Sequence, residues 1–186
     1  MKKVLLLSST PVAGGNSEIL CQEFARGAQD AGCQVELVSL REKDIGFCKG
    51  CEACVRTGKG CVQQDDMAQL LAKVHAADVL VLATPIYFMS VSAQLKVFMD
   101  RFIAGELYMR QSRGKKAYFI TVSAAPISPE HAENHEAANG TFRGFLRCLR
   151  QVEEGGILNA GGAYAPGTIR KQPVWMEKAY EMGKSV

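Results

Sequence analysis

Apolar residues fall into two alternating patterns along the chain: short unbroken runs, and longer stretches with a helical repeat. Residues 3–9 form the first apolar run, closed by a Ser-Thr-Pro-x-x-Gly-Gly loop. Residues 16–32 then place Ile19, Leu20, Phe24 and Ala28 on one helical face and stop at Gly32. A second strand is predicted over 35–40, and Asp65 or Asp66 can cap a helix carrying Met67, Leu70, Leu71 and Val74. Residues 78–83 are apolar after the leading Asp78 and predict a third strand, followed by a helix with Leu95, Phe98, Met99 and Phe102. A fourth strand over 117–123, a helix around 141–152, a weaker fifth strand over 156–162 and a last helix over 174–182 complete the pattern.

Five strands alternating with five helices require parallel pairing, because each connection is long enough only for a crossover helix. Strands that are apolar throughout suit a sheet covered on both faces. The pattern therefore predicts a single α/β domain over 1–186, a three-layer doubly wound parallel sheet. In such sheets ligands bind outside the carboxyl ends of the strands. That rule selects the loops after Leu7, Ala83 and Val122.

In the first loop, hydroxyls at Ser9, Thr10 and Ser17, the Asn16 amide and free N–H groups at a helix start can cradle a phosphate. The loop has neither the Gly-Lys-Ser/Thr of a nucleotide P-loop nor G-x-G-x-x-G, so a phosphomonoester held by neutral donors is the better match. The alternative is a plain helix cap after a Gly-rich turn. In the second loop, Pro85, Ile86, Tyr87, Phe88 and Met89 put aromatic surface just past a strand end. Such a surface suits a flat conjugated ring, or packing against the next helix or a second subunit. The two loops together point to FMN.

Between the second strand and the next helix, residues 46–64 carry Cys48, Cys51, Cys54 and Cys61, spaced C-x2-C-x2-C-x6-C. Three thiols this close can wrap three corners of a cubane iron–sulfur cluster, with Cys61 as the fourth. Structural zinc usually takes two knuckles well separated in sequence. Redox cycling and inert thiols also stay open. Cys21, Cys33 and Cys148 read as buried small hydrophobes. His75 falls on a helix, and His131 and His135 read as surface histidines of a polar loop. Asp100 and Arg101 read as a structural ion pair or cap.

With 22% charged residues and a net charge of +3, the chain gives no reason to expect nucleic acid or a membrane surface as partner. The apolar start is too short for a secretory signal, and seven cysteines, an odd number, do not make a secreted disulfide framework. A cytoplasmic protein with reduced thiols is expected. The aromatic loop and the apolar segment 102–109 would be exposed in a monomer, which predicts a homodimer or homotetramer.

Several motifs in order give the chain a resemblance to flavodoxin-like NAD(P)H-dependent FMN reductases, and among them to iron–sulfur flavoproteins. Ser9-Thr10-Pro11-Val12-Ala13-Gly14-Gly15-Asn16-Ser17 stands where the family shows G-S-P-R-x-x-G-N-T. The thiol run is followed by Asp65-Asp66-Met67, then Thr84-Pro85-Ile86-Tyr87-Phe88, then Lys96-Val97-Phe98-Met99-Asp100-Arg101. Val12 departs from the family Arg, Ser9 from Gly, and Met89 from a small residue. The resemblance covers about the first two-thirds of the chain and implies strand order 2-1-3-4-5. It implies that Thr10, Val12 and the Gly15, Asn16, Ser17 turn hold the FMN phosphate. Residues 85–88 would line the flavin ring, and Ser123 and Ala124 would close the third side. No catalytic side chain is required, because the chemistry resides on the flavin. The implied activity is oxidation of NAD(P)H with delivery of electrons to a quinone, flavin or other small acceptor. Two alternatives are an iron–sulfur flavoprotein electron carrier with a 4Fe-4S cluster, fed by a ferredoxin-like donor, and a non-enzymatic, zinc-stabilised binding module.

Overall fold

Runs of Val, Leu and Ile become central strands because they can bury both faces of the pleat. The computed structural model describes residues 1–186, the side chains of Leu107 and Ala132 excepted. Strands β1 (Lys3–Ser8), β2 (Gln34–Ser39), β3 (Val79–Pro85), β4 (Lys115–Val122) and β5 (Val152–Ala160) form one parallel sheet in the order β2-β1-β3-β4-β5. This is the order and architecture expected from the sequence. Helices α1 (Asn16–Asp30) and α7 (Pro173–Lys184) cover one face, where Leu20, Phe24 and Ala179 meet Leu6, Val81 and Ile120. On the other face α3 (Met67–Ala76), α4 (Ala93–Arg101) and α6 (Glu136–Leu149) bring Leu70, Phe98 and Phe142 against Leu5, Leu82 and Phe119. Each such side chain contributes about 2 kcal/mol of transfer free energy. The α1–α7 crossing is close enough that a Cβ at Gly27 or Gly183 would strike backbone of the other helix.

Two short helices lie outside the expected pattern, α2 (Ala53–Thr57) inside the thiol loop and α5 (Glu106–Gln111) after α4. Helix α6 starts earlier and ends earlier than expected, and β5 begins at Val152 rather than 156. Arg150, at a positive φ of +60°, ends the helix. Being an edge strand, β5 tolerates exposed Glu153 and Glu154, whose charge interrupts the apolar run and hides the first part of the strand. The segment 102–109 is also not the exposed apolar surface expected. Phe102 and Met109 are core residues, and among the described side chains of the segment Ile103 and Tyr108 face outward.

Candidate functional site

The carboxyl ends of β1, β3, β4 and β5 converge on a cavity of about 480 Å³. The β1–α1 loop contributes Thr10, Val12, Gly15, Asn16 and Ser17. Across from it stand Pro85, Ile86 and Tyr87 after β3, and Val122 and Ala124 at the end of β4. A wall that the sequence reading missed, Ala163, Tyr164, Ala165 and Pro166, comes from the β5–α7 loop. Its signal was available: the same carboxyl-end rule applied to the fifth strand, followed by Gly161 and Gly162. Gly162 N–H donates to the Ala125 carbonyl at 2.8 Å, binding this loop to the one after β4.

At one end of the cavity, helix α1 opens without a side-chain cap, its first position preceded by extended Gly15. A Cβ there would run into Thr10, so the tight approach of the loop to its own helix needs glycine. Ser17 Oγ, buried and lining the cavity, has no hydrogen-bond partner among the described residues. An orphaned buried hydroxyl beside free helix N–H groups makes an anion cradle. Glu18 supports the loop from behind, accepting from Gly14 N–H at 2.8 Å and pairing with Arg41 at 3.1 Å. Among the described residues no charged side chain lines the cavity.

Several expected ligands do other work. Asn16 spends its amide on the β5–α7 loop: Nδ2 donates to the Ala163 and Ala165 carbonyls at 3.0 and 2.9 Å, and Oδ1 accepts from Ile169 N–H at 3.1 Å. Only its backbone N–H is left for an anion. Ser9 is buried away from the cavity, donating to the Ala83 carbonyl at 2.9 Å and meeting Ser92 Oγ at 2.9 Å. Pro11, Phe88, Met89 and Ser123 lie outside the lining. Tyr87 and Ser90 exchange two backbone hydrogen bonds of 3.0 Å across a tight turn, with Phe88 and Met89 at φ of +47° and +65°. Phe88 stands entirely in solvent at the tip.

Ser123 instead faces His135, which is buried rather than on the surface as expected. The ring bridges Thr121 Oγ1 at 2.7 Å and Ser123 Oγ at 3.1 Å, and Thr121 also donates to Asn159. Burial holds the His135 pKa below the ordinary histidine value.

Asp100 and Arg101 do not pair with each other. Asp100 binds Lys96, whereas Arg101 is buried and reaches the base of the thiol loop. Its Nη1 donates to Asp65 Oδ2 at 2.6 Å and to the Gly46 carbonyl at 2.7 Å; Nη2 donates to Asp65 Oδ1 at 3.0 Å and to Cys61 Sγ at 3.5 Å. The loop is zipped shut below the thiols by Asp44 N–H to Asp66 at 2.9 Å and Gln63 to the Phe47 carbonyl at 3.1 Å. Cys48 and Cys51 are exposed, Cys54 and Cys61 half-buried, and all four are free. Among the described residues no three Cys, His, Asp or Glu side chains converge on one metal-ion position. Of the other three thiols, Cys21 is buried, Cys33 is half-buried, and Cys148 is exposed, against expectation.

A doubly wound 2-1-3-4-5 sheet with an anion cradle and an apolar slot at its carboxyl edge defines a flavodoxin-like mononucleotide-binding protein. The chain belongs to the NADPH-dependent FMN reductase family, whose model matches residues 2–150, and within it to the iron–sulfur flavoprotein branch. It is 39% identical over 185 residues to an iron–sulfur flavoprotein of Methanocaldococcus jannaschii, covering 99% of this chain and 95% of that one. It is 34% identical over 190 residues to another from Archaeoglobus fulgidus, covering 100% of this chain and 79% of that one. Among solved structures, an NAD(P)H:quinone oxidoreductase from Methanothermobacter marburgensis superposes with TM-score 0.76 at 20% identity, over 98% of this chain and 94% of that one, which supports the fold. The protein is a flavin oxidoreductase. Among the described residues no helix is long and apolar enough to cross a membrane.

Proposed function

We propose that the cavity binds FMN, with the phosphate on the α1 N-terminus and the ring between residues 85–87 and residues 122–124. The protein then oxidises NAD(P)H and reduces a quinone, a flavin or another small acceptor. The observation that carries this reading is the buried, unpartnered Ser17 hydroxyl at the donor end of an otherwise uncharged, apolar slot. The two ends match the two ends of FMN: neutral donors for the phosphomonoester, Pro85, Ile86 and Val122 for the ring. Bound FMN would supply the hydride-accepting centre. The chain's part is to orient the ring, exclude water from its apolar side and leave the Tyr87 side open to a donor or acceptor.

Anaerobic purification with an absorption spectrum and FMN, iron and zinc analysis tests the reading. Flavin bands are expected, and Ser17→Ala should weaken FMN binding about tenfold, the worth of one hydrogen bond to a charged group. A colourless protein, or a Ser17→Ala variant with unchanged affinity, would overturn it.

The thiol loop favours a second, compatible reading, an iron–sulfur flavoprotein that exchanges electrons with a ferredoxin-like donor. Four free thiols on a loop closed at its base form the donor set of a 4Fe-4S cluster, Cys48, Cys51, Cys54 and Cys61 being the ligands. Iron in the same analysis supports it. The zinc-stabilised, non-enzymatic alternative has the least support, given the family and the lack of a converged single-ion site. Exposed Tyr87, Phe88 and Met89 at the cavity rim support assembly as a homodimer or homotetramer, and the free thiols support a reducing, cytoplasmic setting.

A further inference from the structure

The uncharged cavity leaves a phosphate dianion short of donors. Its oxygens can accept more hydrogen bonds than the first turn of α1 and Ser17 supply, and the Thr10 hydroxyl is shared within its own loop, 3.3 Å from Val12 N and 3.4 Å from the Val12 carbonyl. A buried anion with unfilled acceptors is costly, so further donors are needed at that end.

The β5–α7 loop stands beside it. Asn16, in the first turn of α1, holds the carbonyls on either side of Tyr164, those of Ala163 and Ala165. The Ala163 N–H is tied to the Ser123 carbonyl at 3.2 Å, and Thr168 Oγ1 donates to the Ala165 carbonyl at 2.7 Å. The backbone around Tyr164 is thus pinned to the helix start that forms the cradle. Its side chain, by contrast, is 89% exposed, with neither a hydrogen bond nor an aromatic contact among the described residues. Tyr108, Tyr118 and Tyr180 each have an aromatic or hydrogen-bonding partner.

We propose that Tyr164 is a cofactor-binding residue that closes the phosphate end of the cavity, its phenol hydroxyl donating to the phosphomonoester where a cationic side chain is lacking. Asn16 is the positioning residue that presents it. The proposal rests on the FMN reading above. A phenol suits this place: it donates without bringing a charge into the cavity, and rotation about its side-chain bonds moves it while the loop stays fixed.

Riboflavin, which has the same ring without the phosphate, separates this role from others. Flavin dissociation constants are measured by fluorescence quenching for wild type, Tyr164→Phe, Tyr164→Ala and Ser17→Ala with FMN and with riboflavin. Tyr164→Phe should weaken FMN about tenfold and leave riboflavin within about twofold, since only the hydrogen bond to the charged group is lost. Tyr164→Ala should weaken FMN at least as much. If Tyr164→Phe binds FMN as wild type does, or loses FMN and riboflavin equally, the phosphate role of Tyr164 is wrong, while a selective loss in Ser17→Ala keeps the cradle itself intact. If wild type holds FMN no better than riboflavin, the cavity has no phosphate subsite and both readings fall together.

Discussion

Arg101 and Asp65, 36 residues apart in sequence, are joined through two hydrogen bonds of 2.6 and 3.0 Å, with the arginine side chain 1% exposed. The guanidinium's hydrogen bonds lower the Asp65 pKa. The pair fixes the base of the thiol loop to the end of α4. Replacing Arg101 with Met should therefore cost about 1–3 kcal/mol, because half-buried Asp65 loses its cationic partner while keeping hydrogen bonds from Gly46 and Met67 N–H. Urea unfolding would measure it, and adding Asp65→Asn to that variant should restore part of the loss. Equal stability of the single and double variants would show that Asp65 is not the group left stranded.

Histidine burial should make stability depend on pH. His135 is held below its ordinary pKa by burial, so the unfolded chain takes up a proton first as pH falls. Stability should decline below the unfolded histidine value of about 6.5, by at most about 1.4 kcal/mol per pH unit for one such group, levelling off below the folded pKa. His75, also lowered chiefly by burial, acts in the same direction. Urea midpoints between about pH 5 and 8 test this: His135→Gln should flatten the slope.

The turn at Phe88 and Met89 stores backbone strain, since two residues with Cβ atoms occupy positive φ. Strain of about 1–3 kcal/mol exceeds the roughly 0.4–1 kcal/mol by which a glycine loosens the unfolded chain. Phe88→Asn with Met89→Gly should accordingly raise stability by about 1 kcal/mol in thermal unfolding. On the homo-oligomer proposed above, whose interface these two rim side chains would join, the same variant should also shift the protein toward smaller assemblies in sedimentation.

An uncharged cavity has a signature in salt. With no cationic side chain in the lining, FMN affinity should change by less than about threefold between roughly 0.05 and 0.5 M salt. A steep decline would place a lysine or arginine at the phosphate.

How much of this could be read from sequence depended on whether a residue's role was local. Residues 4–7 and 79–83 declare themselves as strands because burial on both faces leaves no polar positions. Residues 152–155 do not, because an edge strand with one neighbour can carry charge, and Glu153 and Glu154 break the apolar run that marks a strand. Thr10, Gly15 and Ser17 were legible because their loop is contiguous. The second duty of Asn16 was not, because its partners lie about 150 residues away. The partner of Arg101 and the burial of His135 were hidden for the same reason: the pattern places them on elements but says nothing of what packs opposite. For His135, a polar loop suggested solvent, whereas the β4 hydroxyls draw the ring inward.

The three hydrogen bonds of Asn16 have one more consequence. They join the first loop of the chain to the last through uncharged contacts made within the protein itself. A cofactor docking between two loops tied to each other in this way would lose little ordering entropy. Loosening that one amide should then speed flavin release, so the release rate should report on the far end of the chain.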